Sequence, residues 1–152
     1  MSRKSAFFRG ICMCHKTPSH VWQACLLAGR HALDTLGHSH SEKAYEEVMS
    51  NYFYSNRIPC RRQPAFYRTI DTQVVPVGVA DIEVDHAVIL ELKAGHVKIS
   101  EDHKNQLLRY MKAAVDSNSR VRKGGILLFD KTGQLQVWSC DISHIEALSD
   151  LQ

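Results

Sequence analysis

The sequence predicts an α/β fold in which a mixed β-sheet is flanked by helices. Two observations carry that prediction. One stretch repeats apolar residues at helical spacing and two more open on a capping serine, while the runs between and after them are rich in β-branched and aromatic residues. Their order, α-α-β-β-β-α-β-β, suggests an α/β sandwich built around a mixed sheet.

Each element has its own signal. From His20 to Leu36 the apolar residues Val21, Cys25, Leu26, Ala28, Ala32 and Leu33 follow a helical period, and Gly37 is a stop. Ser41 has the character of an N-cap, with Glu42 in the first turn of a helix reaching about Tyr54. In that helix Tyr52, Phe53 and Tyr54 read as core rather than as base-stacking platforms. "IPCRRQPAFYRTI" and "TQVVPVGVADIEV" read as strands, with Pro59, Pro64 and Pro76 at ends or edges. "AVILELKA" is a third strand. Ser100 caps a helix running to about Val115, and "GGILLFD" and "LQVWSC" are strands flanking a turn at Lys131 to Gly133. There is no internal repeat and no long low-complexity linker.

The composition narrows the class. A chain of 152 residues, 44% hydrophobic and 23% charged, suits one folded domain with a sizeable core. With no apolar run near ~18 residues, no membrane span is expected. Five scattered cysteines argue against a disulfide framework and for an intracellular, reducing compartment. The net charge of +3 is uneven: Met1 to Leu33 carries five Lys/Arg and no acid, so the remainder is acidic. Residues 1–19 thus form a basic N-terminal arm ahead of a single domain, 20–152. The arm reads as a nucleic-acid contact, an organelle transit sequence or a solvated tail.

The chemistry is concentrated in "VADIEVDHAVILELKAG", Val79 to Gly95. Alternation puts Asp81 and Glu83 on one face of their strand and Ile82 and Val84 on the other; Glu91 and Lys93 likewise share a face opposite Leu90 and Leu92. A hairpin turning at about Asp85 to Ala87 sets Ile82 against Leu90, Val84 against Val88 and Asp81 against Glu91. A one-residue slip would mix the faces. Directly opposed Cβ atoms lie about 5 Å apart, so two carboxylates there repel unless a cation stands between them. Lys93 supplies part of that charge, and a divalent metal would supply the rest. Charged residues on an edge strand are commonly a solvated face, but "AVILELKA" is apolar on both sides of its charges, as in a central strand. Buried carboxylates without partners are costly, which calls for a ligand.

These residues resemble a known arrangement. "VAD", nine residues, then "ELK" is similar to the core of the PD-(D/E)XK nuclease superfamily, with Asp81, Glu91 and Lys93 at the D…ExK positions. More closely, the chain resembles the GxxExxY family within it. "LGHSHSEKAYEEV" places Glu42 and Tyr45 at the E-x-x-Y positions, and "HKNQLLRYMK", His103 to Lys112, matches the family's H-x-x-Q-L-L-x-Y-(L/M)-K helix. The likeness spans about residues 21–140. It departs at the glycine three residues before the glutamate, which is Ser39 here, although Gly37 is retained.

The resemblance implies a restriction-endonuclease-like core, with a three- or four-stranded sheet and flanking helices, in the domain at 20–152. It also implies a metal-dependent phosphodiesterase, an (endo)deoxyribonuclease acting on DNA. Asp81 and Glu91 would bind one or two Mg²⁺ or Mn²⁺ ions as hard oxygen ligands, with the Leu92 carbonyl. Glu42 would orient a water or add a ligand, and Lys93 would position that water or neutralise developing charge. His103, Gln106 and Tyr110 fall on one helical face, from which Gln106 and Tyr110 would point to the site. A homodimer handling two strands is compatible with this size. Readings of another class are a nuclease-like fold kept as a nucleic-acid- or protein-binding module with little or no activity, and an assembly component docking through its basic arm.

Other clusters carry less. "CMCH", Cys12 to His15, offers soft ligands, but His20 and Cys25 complete no standard zinc spacing. "RIPCRR" with Arg68, and "RVRK" at Arg120 to Lys123, are basic patches that either track a phosphate backbone or form a solvated face.

Overall fold

The computed structural model describes residues 18–143 and 145. The first predicted helix is α1, Pro18–Leu36, and the second is α2, Glu42–Ser55, with Ser41 as its N-cap accepting from the Ala44 N–H. Val21, Cys25, Ala28 and Ala32 of α1 and Tyr45, Met49 and Phe53 of α2 are buried against one sheet face. Phe53 is core as expected; Tyr52 is half-buried, and Tyr54, against expectation, is exposed because it lies off that stripe.

The strand count differs from the expected one. "IPCRRQPAFYRTI" splits into β1 (Cys60–Arg62) and β2 (Ala65–Ile70), and "TQVVPVGVADIEV" into β3 (Gln73–Val79) and β4 (Ile82–Val84). The break has a local cause. Gln63 adopts a left-handed φ of 53°, and Pro64 has no N–H to give a ladder. The chain therefore leaves the main sheet, forms a separate β2–β3 ribbon and returns. Two backbone hydrogen bonds tie the crossing point, Gln63 N–H to Asp81 O at 2.8 Å and Ala80 N–H to Pro64 O at 3.1 Å.

The main sheet has five strands, more than the three or four the resemblance implies, in the order β1-β4-β5-β6-β7, with β5 at Val88–Ala94, β6 at Lys123–Phe129 and β7 at Leu135–Asp141. The β4–β5 register is the one alternation predicts: Ile82 faces Leu90 and Val84 faces Val88. Its turn uses two left-handed residues, Asp85 and His86, and is closed by the Ala87 N–H donating to Val84 O at 3.0 Å. β5 and β6 are parallel, joined by the crossover helix α3, Glu101–Asp116. All other neighbours are antiparallel, so the sheet is mixed. Ile82, Val84, Leu90 and Leu92 face α1 and α2; Ile89 and Ile126 face α3 through Leu107, Met111 and Ala114. A Cβ at Gly125 would collide with the Trp22 ring, so this glycine lets α1 seat on β6.

Candidate active site

The site forms where β4 stops short of β5. Since β4 begins at Ile82, the Leu92 N–H has no ladder partner on that side, and the Asp81 carboxylate takes it: Leu92 N–H donates to Oδ2 at 2.6 Å. Asp81 is anchored by its backbone as well, its N–H donating to Leu90 O at 3.3 Å and its carbonyl accepting from Gln63. Burial raises its carboxyl above the usual range, Glu46 and Glu42 add to the rise, and the Leu92 hydrogen bond and Lys93 oppose it.

Glu91 projects from central β5 and is 4% exposed. One oxygen, Oε1, lies 3.3 Å from Lys93 Nζ, while the buried Oε2 has no hydrogen-bond partner among the described residues. Its carboxyl is pushed up to about 7, first by burial and next by the charge of Asp81. A buried carboxylate with one empty oxygen beside a second carboxylate favours a proton or a cation.

Lys93 holds the other side of the site. Its Nζ donates to Gln106 Oε1 at 3.1 Å, and Gln106 Nε2 donates to Tyr110 Oη at 2.9 Å. The Tyr110 ring stacks on Phe66 of the ribbon with centroids 5.5 Å apart. Of the three α3 residues on the predicted face, Gln106 and Tyr110 thus reach the lysine. His103 instead completes a capping box, its Nδ1 accepting from the Ser100 N–H at 3.1 Å. That bond needs a neutral ring, in keeping with a pKa lowered by burial and by Lys93.

Glu42 reaches the site from the first turn of α2, its Oε1 accepting from the Ala94 N–H at 3.3 Å. Its charge contributes to the upward shifts of both Asp81 and Glu91. Tyr45, the other motif residue, does structural work: its hydroxyl donates to Gly37 O at 2.6 Å and its ring stacks on Phe129 at 3.8 Å. Among the described residues no three His, Cys, Asp or Glu side chains are grouped as a metal cage. Mg²⁺ commonly takes only one or two carboxylates with waters, so the Asp81–Glu91 pair with its unpaired Oε2 still suits a hard cation.

Sequence reasoning missed Glu46. It is 5% exposed, accepts from Arg62 Nε at 2.8 Å and Gln63 Nε2 at 3.0 Å, and stands ahead of Glu42 among the charges that raise Asp81. The available signal was its position one turn after Glu42 and next to Tyr45 on the buried stripe. Four cations of the predicted basic patches are paired with carboxylates. Arg61 pairs with Glu83 at 3.0 Å, Arg62 with Glu46 and Glu47, Arg68 with Asp116 at 3.5 Å and Lys123 with Asp141 at 3.2 Å. The Cys12–His15 cluster lies outside the described residues, and Cys25 is a buried core thiol whose pKa burial raises.

A family model described as the PD-(D/E)XK nuclease superfamily matches residues 20–138. Among solved structures, the chain is similar to an alkaline exonuclease from Laribacter hongkongensis at 12% identity and a TM-score of 0.46, covering 90% of this chain and 81% of that one. It is also similar to the protein SSO0001, at 11% identity and a TM-score of 0.39, covering 82% of each chain. No curated protein matches.

Proposed function

The chain belongs to the PD-(D/E)XK nuclease superfamily, and we propose that it is a metal-dependent nuclease hydrolysing phosphodiester bonds in DNA. The unpaired Oε2 of buried Glu91, within reach of the charge of Asp81 and beside Lys93, carries this reading. A module without metal chemistry has no use for a buried carboxylate set beside a second, half-buried one. Asp81 and Glu91 would hold Mg²⁺ or Mn²⁺, with the Leu92 carbonyl and Glu42 as further oxygen donors. Such an ion, when bound, acidifies a water and offsets charge on the phosphate.

The remaining steps fall to side chains. Lys93, held between Glu91 and Gln106, orients the attacking water or neutralises charge growing on the phosphate oxygens. Gln106 fixes that ammonium, and Tyr110 fixes the Gln106 amide. Within the superfamily we place the chain with the GxxExxY type. Its E-x-x-Y pair divides the labour, Glu42 facing the site and Tyr45 clasping the turn before it.

The test is incubation of the protein with labelled linear, single-stranded and four-way-junction DNA, with and without Mg²⁺ or Mn²⁺. The expected result is metal-dependent cleavage, lost in Asp81→Asn and Lys93→Ala variants that still fold. Absence of cleavage on every substrate, together with no metal binding by calorimetry, would overturn the enzyme reading in favour of a binding module.

A further inference from the structure

We propose that the open cleft beside Glu42 is a subsite for the phosphate backbone of the bound polynucleotide, gripped by Lys43 and Lys131. This deepens, and rests on, the nuclease reading. The cleft measures about 880 Å³ and is lined on one wall by Ser39 to Lys43 and on the other by Ala94, Gly95, Asp130 and Lys131. It adjoins the catalytic groups directly, because Glu42 and Ala94, which are hydrogen-bonded to each other, both line it. A strand leaving the Asp81–Glu91 pair on this side would enter the cleft next.

Its lysines are free, whereas four cations of the predicted patches are not. Arg61, Arg62, Arg68 and Lys123 are tied to carboxylates. Lys43 and Lys131 are exposed, and among the described residues neither side chain is in an ion pair. The cleft also carries two carboxylates, Glu42 and Asp130, but among the described residues neither pairs with a lysine: Glu42 accepts from the Ala94 N–H, and Asp130 is engaged by its own turn. Its Oδ1 accepts from the Thr132 N–H, the Thr132 hydroxyl and the Gln134 N–H, and its Oδ2 accepts from Gln136. The first turn of α2 also ends in the cleft and adds the positive end of its dipole.

The walls are pre-built. The Tyr45 hydroxyl pins the turn at Gly37, and the Lys131 N–H donates to His96 O at 3.2 Å, joining the β6–β7 turn to the segment after β5. Two unpaired ammonium groups across an open polar cleft suit successive phosphates. Lysines act there as point charges that position a backbone without reading bases.

The test measures anisotropy of labelled single-stranded and duplex DNA against salt concentration in the absence of divalent metal, with cleavage assayed alongside. The proteins are wild type, Lys43→Ala/Lys131→Ala, and a control of equal charge, Arg30→Ala/Arg109→Ala, whose exposed sites do not line the cleft. The cleft variant should bind roughly tenfold more weakly and lose about 0.7–0.9 of log–log salt slope per lysine, while the control stays close to wild type. Wild-type binding and cleavage with cleft and control variants indistinguishable would overturn the cleft assignment alone. A wild-type chain that neither binds nor cleaves would overturn the nuclease reading with it.

Discussion

The Leu92 N–H donates to Asp81 Oδ2 at 2.6 Å, so one carboxylate both ends a β-ladder and faces the site. The two duties are separable. Asp81→Asn keeps an oxygen to accept from Leu92 and should retain the fold while cleavage falls by about two orders of magnitude or more. Asp81→Ala leaves the Leu92 N–H unpaired and should cost a further 1–3 kcal/mol or so. Urea unfolding beside a cleavage assay separates them; equal stability of the two variants would mean that the hydrogen bond contributes nothing.

Glu91 makes stability depend on pH and on metal. Its folded pKa of about 7 lies above the ordinary 4.5, so between these values the native protein keeps a proton the unfolded chain has lost. Stability therefore falls as pH rises through that window, by roughly 3 kcal/mol in all, the loss being complete above about 7. Asp81 is shifted in the same direction. Saturating Mg²⁺ or Mn²⁺, which takes the ionised form, should flatten the curve, and chelation should restore it. Denaturant midpoints from pH 5 to 8 check this; a Glu91→Gln variant that kept the full slope would refute it.

The ribbon should control the site through one glycine. Gly78 has a φ of 152°, and a Cβ there would lie 2.8 Å from Tyr110 Cε1 and 3.1 Å from its hydroxyl. Gly78→Ala must push Tyr110 away, and Gln106 and Lys93 are hydrogen-bonded in series behind it. The expected cost is about 1–3 kcal/mol of stability and a fall in kcat larger than any rise in KM. Tyr110→Phe, which keeps the ring, should cost less stability. If Gly78→Ala cleaves normally, the Tyr110–Gln106–Lys93 chain has no part in turnover.

What the sequence made legible follows from periodicity. Alternation in two short apolar strands determined the β4–β5 register, because any slip would have moved Glu83 to the face of Ile82 and Val84 or taken Leu90 off it. The capped helices were readable for the same reason, each carrying its own stop and start residues. The ribbon was not readable, since strand-forming residues continue through Arg62–Gln63–Pro64 and Val79–Ala80–Asp81, and only tertiary pairing breaks them. Glu46 escaped because an acid on a helix ordinarily faces water, and its burial depends on Arg62 and Gln63 arriving from β1 and the corner beyond it. The pairing of Arg61 and Arg62 was hidden for the same reason: local sequence shows the two arginines, but not Glu83 and Glu46 that face them.

Tyr45 tests whether the E-x-x-Y pair is half scaffold. Its fully buried hydroxyl donates to Gly37 O. Tyr45→Phe leaves that donor out but keeps the stack on Phe129. Stability should drop by about 1 kcal/mol, with kcat within a few-fold of wild type under conditions where both are folded. Thermal melts and cleavage rates read the two effects apart. A hundredfold loss of kcat at unchanged stability would instead put the phenol in the chemistry.

Ser39 offers the opposite sign. It stands where the resembling family carries glycine, and its φ of 67° is left-handed. A serine pays for that conformation through its Cβ, at about 1–2 kcal/mol, whereas glycine reaches it without strain but loses more entropy on folding. The difference favours glycine, so Ser39→Gly should stabilise the protein by up to about 1 kcal/mol. The Ser39 side chain lines the cleft without holding any of its charges, so DNA affinity and its salt slope should not change. Unfolding midpoints of the variant decide the matter: a destabilised Ser39→Gly would show that the serine hydroxyl secures the turn more than its backbone strains it.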